Sequence, residues 1–590
     1  MKTLAPRPWL LHPLLLLVWL VVGTILRLTH LTTKPLWIDE FATIVFSLGH
    51  SFQAVPLNQL ISLDTLLQPV QLDPQAGVGD VIHYLLSEST HPPLYFVLAH
   101  LWMQMFPAQG DFVSLWVVRS LPAFLGAASI PAMFGLGWLA FRSRGVGQLA
   151  AATMAVSPYG IFLAQEARHY TLAVLWVIGS LCCLVVATRT IKSQSPVPVW
   201  LGLLWVGINS LGMATHYFFG LTLCAEALVL LVLGVVQHWQ NKQGWLQPYW
   251  WRIYAIAAGT AAGCLVWLPF WRSVYGSDLT QWIYTEGYVG LGMLEPIFQA
   301  LGTGITMLIM LPVQAAEPSI VLASYIGMIV FLIGTLYFLI YGLKVQWRQA
   351  HTRFAVQVLA GFVLAALSLF FALTYGLGAD LMIGERYYFV YFPAVIALVG
   401  ASLDGCWKAA QTKVTRQSSF RGKRFWLRDF RINHSKRAVV LIWLIALIGS
   451  LTVVENLAYQ KTNRPDLAVQ TIQQVSRSPI LIAMPHKNLG QTGRLMSLAW
   501  EFKSTHSSAN SMDPSSSPRF LLVDQDQAAN NLGVILQKML TSLPRPLDLW
   551  LINFSTPVAL EADNCLPHSL SQSAVDGYTY HLYRCLAAPA

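Results

Sequence analysis

The apolar run from Leu10 to Leu28 is the first of a series that recurs as far as residue 456. A helix rises 1.5 Å per residue, so roughly twenty apolar residues cross the hydrocarbon core of a bilayer. Within that core no water is present to satisfy backbone groups, and a helix satisfies them inside one segment. Composition agrees: 55% of the chain is hydrophobic and 11% charged, against about 25% charged in a soluble protein. The net charge of +10 is then no sign of a nucleic-acid partner. Lys and Arg accumulate in the cytoplasmic loops of membrane proteins and set their orientation.

Five basic loops fix a topology. Arg142 and Arg144, Arg189 and Lys192, Lys242 and Arg252, and Lys344, Arg348 and Arg353 each follow an apolar span, and the stretch 406–437 carries ten Lys/Arg against Asp429. All five are expected inside. Alternation holds provided His91 to Phe106, short and opened by His91-Pro92-Pro93, lies at the outer interface; Pro296 to Pro312 requires the same. Eleven spans result: 10–28, 113–140, 146–164, 170–188, 198–215, 217–236, 252–270, 319–343, 354–376, 388–404 and 438–456. Lys2 and Arg7 precede a first span with no convincing cleavage site, so a retained helix with a cytoplasmic N-terminus is expected.

The fold class predicted is a polytopic α-helical plasma-membrane protein of about eleven transmembrane helices, occupying 1–456, with interfacial helices in a first outer loop, 28–112. Residues 457–590 change composition and are expected to form a small extracytoplasmic α/β domain. Ile480–Met484, Phe520–Val523, Leu547–Phe554 and Tyr578–Tyr583 read as strands between turn-forming residues, and Arg464–Val475 as a helix. Cys565 and Cys585 are the two cysteines in that tail. Outside the cytoplasm they are a candidate disulfide, with two free thiols as the alternative.

The outer loops gather unusual polar residues. Asp39, Glu40 and His91 fall in the first, Glu166, Arg168, His169 and Tyr170 between the third and fourth spans, His216 between the fifth and sixth, and Glu385 and Arg386 before the tenth; Arg119 lies near the outer end of the second span. A pocket holding both acids and cations suits a reaction that binds a phosphate and deprotonates a nucleophile. Arg and His hold anionic oxygens by charge-assisted bonds, and a carboxylate accepts a proton. Each residue also has a plainer reading: a solvated loop pair at Asp39-Glu40, a turn ion pair at Glu166 and Arg168, a helix cap at His91, an interfacial ring at His216, a lipid-headgroup contact at Arg386.

The strings LWIDE, HPPLYF, SPYGIFLAQEARHYTL and RYYFVYFP, in that order, resemble those of one large family. It comprises the bacterial relatives of protein O-mannosyltransferases and the aminoarabinose transferase that modifies lipid A. These are C-type (GT-C) glycosyltransferases using polyprenyl-phosphate sugars. The resemblance covers roughly residues 10–460. It implies an inverting transfer on the outer face, from a lipid-linked sugar to a hydroxyl of a protein, lipid or glycan. By that resemblance Asp39 is the catalytic base, with Glu40 and Glu166 beside it. Arg386, His91 and Arg168 would hold the lipid phosphate, and Tyr170 lies in the same second-loop motif as Arg168; Tyr170 and, from the outer-loop set, His216 are further candidates for substrate or phosphate binding. Position 91 is a lysine in the aminoarabinose transferase and a histidine here. No cofactor is required; a divalent metal on Asp39 and Glu166 is compatible with hard carboxylate ligands. The loop 272–318 is a candidate lid. A lipid-linked glycan transporter and a non-catalytic membrane assembly protein are the rival readings.

Overall fold

The computed structural model describes residues 8–106, 112–241, 245, 247–270, 281–284, 287–309, 317–411, 425–508, 517–524, 532–554, 560, 564–568 and 577–586. Lys2, Arg7 and Lys242, residues 272–280, 285–286 and 310–316 of the candidate lid, and 412–424 of the last basic loop lie outside the described residues. The chain forms two compact units. The first comprises Met1–Leu31, Thr90–Tyr95 and Arg119–Tyr459; the second comprises Thr32–Ser89, Phe96–Val118 and Gln460–Ala590.

The first unit is helical. Among the described residues, seven helices are long and apolar enough to cross a membrane, or eight if one bent pair is a single span. The other three of the eleven expected spans coincide with Val199–Thr215, Trp251–Leu265 and Phe392–Gln411, which do not meet that test. Small residues let these helices approach closely, as they do in membranes where hydrophobicity does not distinguish helix from lipid. A Cβ on Gly342 would collide with the Ser402 carbonyl, and one on Gly405 with the carbonyl of Gly342.

The expected span over 146–164 is built as this bent pair. Helix Arg144–Ala155 stops, and Pro158–Ala164 leaves it at 57°. Pro158 lacks an N–H and its ring opposes the carbonyl of the residue four before it, so the first helix ends ahead of it. The Ser157 hydroxyl accepts the Gly160 N–H at 3.2 Å and starts the second. The break frees carbonyls that must be met inside the bundle. Arg27, wholly buried, donates through Nη2 to Met154 O at 2.9 Å and through Nη1 to Ala155 O at 3.1 Å. The indole of Trp443 donates to Ala152 O at 3.0 Å and the Ser450 hydroxyl to Val156 O at 2.5 Å.

The second unit is built on a six-stranded sheet of order β1-β3-β2-β4-β6-β5, where β1 is Leu60–Ile61, β2 Ile480–His486, β3 Arg519–Asp524, β4 Leu547–Ile552, β5 Cys565–His568 and β6 Tyr580–Cys585. The expected strands and the helix Pro465–Val475 therefore form. The central strands β3, β2 and β4 run parallel and read as near-continuous apolar runs because both of their faces are covered. The sheet also takes β1 from the first loop, paired antiparallel to β3 through Leu60–Leu521 and Ile61–Phe520. Cys565 and Cys585 are directly opposed on β5 and β6 and joined as a disulfide.

Candidate active site

The second unit holds Asp39 and Glu40. Both lie in the first turn of helix Ile38–Ser47, where a helix dipole favours negative charge. Glu40 is buried and Asp39 half-buried. The helix is seated on Leu489–Ser508: Phe41 meets Trp500 edge-on with centroids 6.3 Å apart. Gly493 gives Ile38 its place, since a Cβ there would lie 3.0 Å from Ile38 Cγ1. Beside the acids, the Lys461 ammonium sits 4.1 Å from the centroid of the Trp37 ring. At the other end of the helix, His100 Nδ1 is 2.8 Å from the Ser47 carbonyl.

The first unit holds the remaining predicted residues, and brings four of them into one cluster. The turn Gln165–His169 between Pro158–Ala164 and Tyr170–Lys192 is buried throughout. Gln165 Nε2 ties it to the end of the first helix, donating to Leu26 O at 3.2 Å and Thr29 O at 2.9 Å. From this turn Arg168 donates through Nη2 to His91 Nε2 at 3.0 Å, and its guanidinium lies 5.7 Å from the centroid of Tyr170. His91 precedes Pro92, which confines its backbone to extended conformations. Glu166 is buried in the same turn.

His169 is the residue the sequence reading left out of its site. Its ring is packed among His91 at 5.4 Å, Tyr95 at 6.0 Å, Tyr170 at 4.5 Å and His216 at 4.6 Å, centroid to centroid. His216 sits in a tight connection between two helices, made possible because Gly212 leaves room for the Phe219 ring. Its Nδ1 accepts the Phe218 N–H at 3.0 Å. The rings of Tyr170, Phe389 and Tyr387 complete its wall, at 5.6, 5.2 and 6.0 Å.

Arg386 stands on the short helix Glu385–Val390, half-buried. The Tyr159 hydroxyl anchors that segment, with the carbonyls of Glu385 and Arg386 as alternative acceptors of its proton at 3.1 and 3.2 Å. The guanidinium lies 5.1 Å from the Trp282 centroid and 5.6 Å from that of Tyr387, within the range of a cation–π contact. Burial holds the His169 imidazole well below the usual histidine range, and His216, Arg168, His91 and Arg386 push it the same way. His216 is depressed likewise, by burial first and then by His91, Arg168 and Arg386. The cluster therefore carries positive charge on its two guanidiniums, and the His169 and His216 imidazoles are held toward the neutral form.

Such a pocket suits an anion of low charge with an apolar body. Guanidinium forks match phosphate oxygens, and the aromatic wall excludes the water that would compete. Among the described residues no three His, Cys, Asp or Glu side chains come together as a metal site. Asp39 and Glu166, the expected carboxylate pair, belong to different units.

No protein-family model matches the chain, and no curated protein sequence matches it significantly. Solved structures do. ArnT from Cupriavidus metallidurans bound to undecaprenyl phosphate aligns over 99% of this chain and 99% of its own, with 12% identity and a TM-score of 0.51. The same protein in the apo state aligns over 99% of each chain with 12% identity and a TM-score of 0.48. Archaeal oligosaccharyltransferase AglB from Archaeoglobus fulgidus, in complex with an inhibitory peptide and a dolichol-phosphate, aligns over 93% of this chain and 70% of its own, with 12% identity and a TM-score of 0.42. The ArnT likeness extends over the whole chain, and the fold is the one expected from the four motifs, that of the C-type membrane glycosyltransferases.

Proposed function

We propose that the protein is an inverting glycosyltransferase that moves a sugar from a polyprenyl-phosphate donor to an acceptor hydroxyl on the outer face of the plasma membrane. The observation that carries this reading is the pairing of Arg168 and Arg386 with neutral imidazoles and aromatic rings, at helix connections of the membrane unit. Two guanidiniums set among uncharged rings offer the charge and the apolar surroundings that a lipid phosphodiester needs. The full-length likeness to a protein bound to undecaprenyl phosphate supports the same assignment. The disulfide of Cys565 with Cys585 supports an oxidising compartment for the tail, and with it the outward orientation of the loops that bear the site.

In this mechanism Asp39 accepts the proton of the acceptor hydroxyl. The hydroxyl oxygen attacks the anomeric carbon as the bond to the phosphate oxygen breaks, and the electron pair leaves with polyprenyl phosphate. Arg168 and Arg386 stabilise the charge that builds on that phosphate. Glu40 and Glu166 are supporting acids, and Tyr170 and His216 shape the wall beside Arg168. The test is incubation of purified protein with a panel of polyprenyl-phosphate sugars, reading release of polyprenyl phosphate. Asp39→Asn should lower turnover by a factor of about 100 or more, the scale of a lost general base, with expression unchanged. Near-normal turnover in that variant would end the base assignment, and no release with any donor would favour transport or scaffolding.

A further inference from the structure

Arg168 and His91 are joined by a bond whose direction is fixed by chemistry. A guanidinium has five N–H donors and no acceptor, so the lone pair at 3.0 Å belongs to His91 Nε2. An imidazolium carries a proton on both nitrogens and has no such lone pair. The proton of His91 therefore stands on Nδ1, and the ring is neutral. His216 yields to the same accounting, because its Nδ1 accepts the Phe218 N–H.

We propose that His91 is a positioning residue: a neutral acceptor that aims the Arg168 guanidinium at the lipid phosphate, rather than a cation that touches the phosphate. The inference rests on the reading of this pocket as a lipid-phosphate site. A long arginine side chain loses rotamer entropy when it is ordered. An acceptor that orders it before the ligand arrives removes that cost from binding. The setting suits the role. Pro92 and Pro93 stiffen the backbone beside His91, and Arg168 is 2% exposed. Around His91 stand Arg168 and His169, with Tyr95, Tyr170 and His216 on the surrounding elements. Arg386 raises the positive potential further, and Glu166 lies in the Arg168 turn. A second positive charge at position 91 would oppose Arg168 at hydrogen-bond distance.

The two roles give opposite outcomes in variants. Binding of undecaprenyl phosphate to full-length protein in detergent is measured for wild type, His91→Gln, His91→Lys, His91→Ala and Arg168→Ala, each on the monodisperse fraction. A glutamine oxygen replaces the Nε2 acceptor, so His91→Gln should bind within about threefold of wild type. His91→Lys should bind at least tenfold more weakly, with His91→Ala between, and Arg168→Ala should lose tenfold or more. The ratio of wild-type to His91→Gln affinity should stay flat from pH 6 to 8, since the phosphate's own titration cancels in it. Tight binding by His91→Lys with weak binding by His91→Gln, or a ratio that climbs toward pH 6, would overturn the proposal while leaving the pocket a phosphate site. Unchanged binding in Arg168→Ala would overturn both.

Discussion

Arg27 holds together the break on which the site turn depends, and its removal has a calculable cost. Arg27→Met keeps the length and apolar stem of the side chain but removes its bonds to Gly23 O, Met154 O and Ala155 O. The last two carbonyls end helix Arg144–Ala155, and no water of the bulk reaches a wholly buried group. Each buried carbonyl left unmet costs about 1–3 kcal/mol. Removing the guanidinium also removes its own desolvation penalty, which offsets part of the loss. The net expectation is a loss of about 2–4 kcal/mol. Arg27→Lys, with three donors on one nitrogen, should recover about half of it. Thermal and denaturant unfolding of the purified protein in detergent reads the stability. Binding of undecaprenyl phosphate reads the consequence for Arg168, because the same helix end also anchors the turn through Gln165. Arg27→Met within about 0.5 kcal/mol of wild type, the range of a neutral surface change, would refute the carbonyl accounting.

Three other outcomes follow from the structure. Gly493→Val drives side-chain atoms into Ile38, one residue before Asp39; overpacking of this kind costs about 1–3 kcal/mol, and turnover should fall while undecaprenyl phosphate still binds, a split that a general loss of folding would not give. Within the membrane unit, Ser180 Oγ accepts the Trp205 N–H at 2.8 Å and lies 2.9 Å from both Asn209 Oδ1 and Glu226 Oε2, while Asn209 Nδ2 donates to Thr260 at 3.2 Å. One hydroxyl proton cannot serve two acceptors, so with the Asn209 amide in this orientation Glu226 supplies the second as a neutral acid. Glu226→Gln should then stay within about 1 kcal/mol of wild type and Glu226→Lys should lose several times that, by thermal unfolding; equal damage from both would contradict it. Finally, His169 and His216 are held neutral in the fold, whereas the unfolded chain protonates them below about pH 6.5. Stability should be full above that pH and fall below it, by up to about 1.4 kcal/mol per pH unit for each ring, and the pH-dependent part should shrink in His169→Asn.

The membrane helices were legible because each is specified by its own twenty or so residues, and hydropathy needs no partner. The strands of the tail were legible for the same reason, and the disulfide because the tail holds only two cysteines. The two-residue strand Leu60–Ile61 had no such signal; its identity as a strand comes wholly from the Arg519–Asp524 edge it pairs with. His169 appeared in the sequence only as one more cation, since the burial that depresses its pKa draws on His91 and Tyr95 from one distant segment and His216 from another, beside its own neighbour Tyr170.

The break at Val156-Ser157 shows where the line falls. Ser157-Pro158 is a helix-start signal inside an apolar run, so the interruption was readable, although hydropathy ran straight across it. Its completion was not. The carbonyls it frees are met by Arg27, more than a hundred residues earlier in the chain, and by Trp443 and Ser450, nearly three hundred residues later. A buried arginine at the end of an apolar span nevertheless poses a definite question of the sequence, because a guanidinium needs acceptors that lipid cannot supply. The acceptors open to it are a carboxylate, an anionic ligand or the carbonyl end of a broken helix. Here the third answer holds, and it explains how one fully buried charge sits in the membrane unit without a counter-ion among its hydrogen-bond partners.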